Sequence, residues 1–212
     1  MKLAVFGATG GVGTQLVKLA LEQGHTVTAV MRNPAKFTLP SHEALHIATI
    51  ADLADTERVQ AAISGSDAAL SGVGPSSNKD VTAASVPTRH ILAALAGAGI
   101  ERFVAVSAAP VGPIPPDEGF VNRRIVFPVT RKLFGGIYAD LAVMERDIAA
   151  SGLKWTVVWP PKLTNKPRGD YRTVIGGNVP GGTFVSRAEV AHAMLALLAD
   201  DRAIRQAVGV AR

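Results

Sequence analysis

The chain has 212 residues, enough for one α/β domain with a sizeable core, and its 48% hydrophobic against 18% charged residues exclude a disordered chain. It contains no cysteine, which excludes disulfides, thiol catalysis and a cysteine-ligated metal. The net charge of +5 is spread along the chain in no more than RK or RR pairs, and aromatics make up only 5%, so the excess suits a small polyanionic ligand better than nucleic acid.

Lys2–Phe6 is a short β-type run that ends in a glycine-rich loop. Val12, Leu16, Leu19 and Ala20 then recur at helical spacing, and Gly24 ends that helix. Thr26–Met31 and Leu45–Ile50 read as the second and third strands. A helix from the N-cap Asp55 to Ile63 follows, then a fourth strand at Asp67–Ser71. Helical residues span Val81–Ala98, with Pro87 either kinking that helix or starting it. Arg102–Ser107 is a fifth strand, Tyr138–Ala150 a helix and Trp155–Trp159 a sixth strand. Ser186 and Glu189 form a capping-box pattern before a last helix that runs to Ala199.

Strand and helix alternate throughout the first 110 residues, which predicts a doubly wound parallel sheet with helices on both faces. Two stretches break the alternation, Pro110–Gly136 and Lys162–Val185. Both follow strands, so both are expected at the carboxyl edge of the sheet, where ligands of such folds bind. The opening MKLAVFG is too short for the apolar segment of a signal peptide, and no apolar run reaches the roughly 18 residues of a membrane span. The expectation is a cytoplasmic protein, monomeric or a small homo-oligomer, with no nucleic-acid or membrane partner. No histidine has the look of a catalytic group and nothing has metal-ligand spacing, so no metal is expected.

The loop after the first strand is FGATGGVG, with Gly7, Gly10 and Gly13 three apart. Gly7 allows a tight exit from the strand, Gly10 lets a pyrophosphate approach the backbone, and Gly13 lets the helix pack on the sheet. Thr9, Gly11 and Val12 complete the stretch whose backbone N–H groups, at a helix N-terminus, would hold the phosphates. The bland alternative is a plain strand–helix turn.

The G-x-x-G-x-x-G spacing resembles that of extended and atypical short-chain dehydrogenases. SGSDAALSGVG, ERFVAVSAAPVG, SGLKWTVVWPPKLT, GDYRTVIGG and VSRAEVAHAMLALL look like successive blocks of the NAD(P)H-binding, NmrA-like atypical group. Within that group they are similar to the biliverdin-IXβ reductase, or flavin reductase, branch. The resemblance covers nearly the whole chain and implies a single NAD(P)-binding Rossmann domain over residues 1–212. Residues of about 110–136 and 162–185 would carry the substrate site. The group holds reductases and cofactor-sensing regulators alike, so both remain open.

At the end of the second strand an acidic residue would suit NAD, but this chain has Arg32, with Lys36 close behind. An arginine fork can hold a 2′-phosphate, so the expected cofactor is NADP(H). Asp52 and Leu53 resemble the group's adenine-contacting pair, although Asp52 could equally be a capping aspartate. Gly72, Val73 and Gly74 after the fourth strand are expected beneath the nicotinamide ribose, and Pro160 and Pro161 beside the nicotinamide.

Ser107 stands where the short-chain dehydrogenase pattern puts its serine, able to bond a substrate carbonyl or the nicotinamide amide, or else it is a turn-capping serine. The usual Tyr-x-x-x-Lys pair is incomplete, because Tyr138 is followed four residues on by Ala142. Tyr138 is therefore either an acid without its lysine or a structural residue. Against the biliverdin-IXβ reductase branch, Ala108 replaces a pocket serine and Lys162 replaces a histidine. Lys162 either anchors an anionic acceptor or is a surface lysine. The expected reaction is hydride transfer from NADPH to a planar conjugated acceptor, a flavin, quinone or tetrapyrrole, with no essential protein acid. Pro110–Gly136 combines Phe120, Ile125, Val126, Phe127, Leu133 and Phe134 with Arg123, Arg124, Arg131 and Lys132, which suits either a lid over such an acceptor or an amphipathic interface segment for a partner.

Overall fold

The computed structural model describes residues 1–75, 80–115, 118–120, 124 and 127–212, the side chains of Phe127 and Arg131 excepted. The lid residues Arg123, Ile125 and Val126, and those two side chains, lie outside what is described.

Ten strands and six helices follow one another among these residues: β1 Lys2–Phe6, α1 Gly11–Glu22, β2 Thr26–Met31, β3 Leu45–Thr49, α2 Thr56–Ile63, β4 Ala68–Ser71, α3 Ser85–Gly97, β5 Arg102–Val106, α4 Phe127–Leu133, α5 Gly135–Ala150, β6 Lys154–Trp159, β7 Lys162–Thr164, β8 Arg172–Ile175, β9 Phe184–Ser186, α6 Arg187–Leu198 and β10 Gln206–Ala211. The main sheet has the order β3-β2-β1-β4-β5-β6-β10-β8. Every pairing in it is parallel except β10 with β8. The strand order reverses between β1 and β4, which opens a crevice at their carboxyl ends.

The central strands are apolar nearly end to end because both faces are covered. Their two-residue period splits them between two cores. Leu3, Val5, Leu70, Val104 and Val158 meet α1 and α6 on one face, while Ala4, Phe6, Ala69, Phe103 and Val157 meet α2, α3 and α5 on the other. Each fully buried leucine- or phenylalanine-sized side chain contributes about 1.5–3 kcal/mol.

The helix ends follow the sequence signals. Gly24 adopts φ +78° after α1, a conformation glycine takes without a Cβ clash. Asp55 caps α2 by accepting from Arg58 N at 3.1 Å, and Ser186 with Glu189 forms the complete capping box of α6. Pro87 resolves in favour of starting a helix, since α3 begins at Ser85 and proline falls in its first turn, where no intrahelical donor is lost. That N-terminus is capped from a distance: Asp140 on α5, itself buried, accepts from Ala84 N at 2.8 Å and from Ser85 N.

Three features depart from the sequence expectations, one of them the helix α4 inside the stretch Pro110–Gly136, where the pattern predicts no helix. The strands number ten among the described residues, because β7, β8, β9 and β10 are too short or too late in the chain to stand out by pattern. Only part of Lys162–Val185 overhangs the sheet edge. β7 and β9 form a small separate parallel pair, but Arg172–Ile175 runs antiparallel along β10 and extends the main sheet. A parallel sheet ending at β10 would expose a row of unpaired backbone groups, which β8 satisfies.

Arg102, at the start of β5, is buried and ties the layers together. Its guanidinium donates to Leu197 O at 2.5 Å and Leu198 O at 3.2 Å at the end of α6, to Lys154 O at 2.7 Å and to Thr156 Oγ1 at 2.9 Å. A cation at a helix carboxyl end complements its unpaired carbonyls.

Candidate functional site

The crevice between β1 and β4 is built backbone against backbone. Gly7 adopts φ +71°, and a Cβ there would lie 2.9 Å from Gly72 C and Val73 N. A Cβ on Gly13 would lie 2.0 Å from Gly7 O, so the start of α1 can sit this close to the loop only as glycine. Gly72 donates to Phe6 O at 3.0 Å and lies against Gly13 N, so the turn after β4 and the glycine loop form one floor. Beyond it a Cβ on Gly74 would meet nothing within 4 Å among the described residues.

The first turn of α1 opens outward from this floor. Its N-cap is Gly10, no side chain caps it, and no acidic residue occupies its first turn. Gly10 and Gly11 are exposed and Thr9 half-buried, while Val12 and Gly13 pack inside. Uncapped N–H groups carrying the positive end of the helix dipole, on a surface without side chains, fit a pyrophosphate. One cation nearby was not evident from sequence: Arg187, the first residue of α6, lies across Gly11, where an added Cβ would fall 2.6 Å from its Cδ and Nε. Its guanidinium donates to Asn165 Oδ1 at 2.7 Å.

Arg32 and Lys36 flank the end of β2, both exposed, and neither is ion-paired among the described residues. Asn33 between them caps a short 3-10 turn by accepting from Ala35 N at 3.0 Å. Two unpaired cations at this corner fit a 2′-phosphate. Asp52 accepts from Ala54 N at 2.9 Å, so the local turn role is present, while Leu53 packs on the core beside α2 and α3.

At the other end of the crevice the chains after β5 and β6 stay bonded beyond the sheet. Ser107 N donates to Val158 O at 2.8 Å, and Ala109 N to Pro160 O at 2.9 Å. Pro160 is buried and Pro161 half-buried beside it. Asn178 donates to Ala109 O at 2.8 Å and Pro113 O at 2.9 Å, so the late insertion clamps this turn.

Ser107 is not alone there. Its hydroxyl donates in a short bond to Glu145 Oε1, and the same oxygen accepts from Trp159 Nε1 at 2.9 Å. The indole is fixed from its other side by Gly112, where a Cβ would fall 2.5 Å from the ring. Burial pushes the Glu145 carboxyl above the usual value of 4.5, against the bonds from Ser107 and Trp159, which favour the charged form.

Glu145 is the functional candidate that sequence reasoning missed. Its signal lay in spacing: it is seven residues after Tyr138, two turns along one helix face, and it adjoins the buried stripe Leu141, Met144 and Ile148. The other two sequence candidates stand apart from this cluster. Tyr138 is half-buried and edge-on to Phe134 at 6.2 Å, and its phenol makes no hydrogen bond among the described residues. Burial pushes that phenol up, and the lysine position is the exposed Ala142, so nothing lowers it. Lys162 is exposed on β7 and makes neither a hydrogen bond nor an ion pair with Ser107 or Glu145 among the described residues. In the lid stretch Phe120 and Leu133 are largely exposed.

A family model described as NAD(P)H-binding matches residues 7–201. Among solved structures, a short-chain dehydrogenase/reductase from Veillonella parvula aligns over 100% of this chain and 94% of its own, with 19% identity and a TM-score of 0.83. The same bacterium's short-chain dehydrogenase/reductase in complex with NADP aligns over 100% and 94%, with 19% identity and a TM-score of 0.81. A Streptococcus pneumoniae protein named a "putative NADH-flavin reductase" aligns over 100% and 99%, with 23% identity and a TM-score of 0.77. At these identities the likeness is one of fold. No helix among the described residues is long and apolar enough to cross a membrane.

Proposed function

This chain belongs to the NAD(P)H-binding family, and from that premise we propose that it is an NADPH-dependent oxidoreductase passing hydride to a planar conjugated acceptor, a flavin, quinone or tetrapyrrole. The observation that carries this reading is the pairing of two ends of one crevice. One end has an uncapped glycine-floored helix terminus with unpaired Arg32 and Lys36 beside it. The other has Ser107 at the end of β5 and a tyrosine without its lysine.

Thr9, Gly10, Gly11 and Val12 would hold the pyrophosphate, Arg32 and Lys36 the 2′-phosphate, and Asp52 with Leu53 the adenine end. Gly72, Val73 and Gly74 would lie under the nicotinamide ribose, with Pro160, Pro161 and Ser107 at the nicotinamide. Bound NADPH would supply the hydride. A conjugated acceptor delocalises the resulting charge, so the protein's task is to orient two planar groups and exclude water between them.

A second reading shares the nucleotide end: a redox sensor that binds NADP(H) without turnover. The exposed Ala142 in the lysine position fits it as well as it fits the reductase. NADPH oxidation screened against free flavins, quinones and tetrapyrroles separates the two. Turnover with at least one acceptor class is expected, and tight NADPH binding with none would leave the sensor.

A further inference from the structure

The reductase reading leaves open where the second hydrogen of the acceptor comes from. Hydride adds one hydrogen and an electron pair, so a quinone or flavin then carries a negative oxygen or nitrogen that needs a proton. We infer that Glu145 is the source of that proton, delivering it to the reduced acceptor through the Ser107 hydroxyl. This inference rests on the reductase reading and replaces the acid-free expectation drawn from Tyr138.

Ser107 closes β5 at the carboxyl edge of the sheet, keeps 9% of its surface exposed, and has its hydroxyl against Glu145 Oε1. Behind it the indole of the buried Trp159 donates to Oε1 at 2.9 Å, and Met144 and Ile148 on the same helix are buried in the core that Trp159 joins. A carboxyl in such surroundings favours its protonated form, as the upward push of burial indicates. In the charged state the serine hydroxyl donates to Glu145. In the neutral state the carboxyl O–H donates to Ser107 Oγ, which frees the serine's own hydrogen to face the crevice.

The step then balances. The acceptor anion takes the Ser107 proton as a new O–H or N–H bond, Ser107 takes the Glu145 proton, and Glu145 is left as a carboxylate bonded by Ser107 and Trp159. Solvent protonates it for the next cycle.

Neighbouring charges do not compete for this carboxyl. On α5, Asp140 is bonded to the N-terminus of α3, and Arg146 lies by Asp147. Arg89 on α3 pairs with Asp147, and Lys154 at the far end of β6 pairs with Glu101. Tyr138 on α5, His90 on α3 and Lys132 on α4 complete the titratable groups of described side chains on these elements, and none is ion-paired to Glu145.

The test compares Glu145→Gln with the unmutated protein on two acceptors. A quinone needs both hydride and a proton; a cationic phenothiazinium dye becomes neutral on taking hydride alone. Glu145→Gln is expected to lower kcat with the quinone by about a hundredfold, on the order of ten times or more its effect on dye reduction. Ser107→Ala should lose quinone turnover similarly, and the double variant no more than either single one, as for two links of one relay. The kcat of the unmutated protein with the quinone should fall as pH rises through the carboxyl's elevated pKa, and Glu145→Gln should abolish that limb.

A readout without turnover uses Trp159 fluorescence in a Trp155→Phe background, where a protonation transition above 4.5 is expected and Glu145→Gln should remove it. An equal fold change of the quinone and dye rates on Glu145→Gln, relative to the unmutated protein, would overturn the relay and leave the reductase reading standing. A fluorescence transition that survives Glu145→Gln would also overturn it. No NADPH oxidation with any acceptor in the unmutated protein would overturn the reductase reading and the relay together.

Discussion

The two ends of the crevice are made differently. Between β1 and β4 the surface is backbone: Gly7, Gly13 and Gly72 meet at distances that no side chain permits. Between β5 and β6 it is side chain: Ser107, Glu145 and Trp159 come from a strand end, a helix and another strand end. A backbone floor depends on a few residues close in sequence and tolerates almost no substitution. A side-chain cluster depends on how three elements pack, and can change its chemistry with one replacement while the sheet stays intact.

Substitution at the backbone end should therefore have the larger effect. Gly10→Val puts a branched side chain on the exposed N-cap of α1, where the pyrophosphate is assigned. NADPH affinity by calorimetry should fall by on the order of a hundredfold or more with the circular-dichroism spectrum unchanged. Normal binding by this variant would mean that the floor does not carry the nucleotide.

Next in size is the phosphate corner. Arg32→Ala should weaken NADPH by about tenfold to a hundredfold, the range of a lost charge-assisted contact, and leave NADH nearly unchanged. Equal affinities for the two cofactors in the unmutated protein would remove the basis for choosing NADPH.

At the side-chain end, pH is the sharper probe. Glu145 has its folded pKa raised by burial, so its contribution to stability is complete below the unfolded value near 4.5 and is lost as pH rises through the folded value. Chemical denaturation of Glu145→Gln should match the unmutated protein at low pH and become relatively more stable above that window. Parallel stability curves across it would show that the carboxyl is not held in an apolar wall.

The smallest effects are expected at Tyr138 and Lys162, the two sequence candidates that stand apart from Ser107. Tyr138→Phe should change kcat less than about tenfold, well short of the hundredfold or more of a lost essential acid. Lys162→Ala, exposed on β7, should raise KM for anionic acceptors with kcat nearly constant. A large kcat loss in Tyr138→Phe would return the acid to the tyrosine and sharpen the contrast in the opposite sense.

The sequence by itself determined the alternating α/β order, the parallel core and the glycine floor. These rest on local patterns: apolar runs of period two, helical stripes, the Asp55 and Ser186 caps, and three glycines at fixed spacing. It also isolated Arg32 and the missing lysine after Tyr138, because each is a single position read against a strand end or a helix turn. Only the tertiary structure decided that Asp140 caps α3 across 56 residues, that Arg102 holds the carboxyl end of α6, and that β8 and β10 complete the sheet. It alone joined Glu145 to Ser107 across 38 residues and to Trp159. The physical reason is range. A helix cap or a glycine turn is satisfied within one or two turns of chain, whereas a buried carboxyl finds its partners on other elements, and its sequence position does not name them.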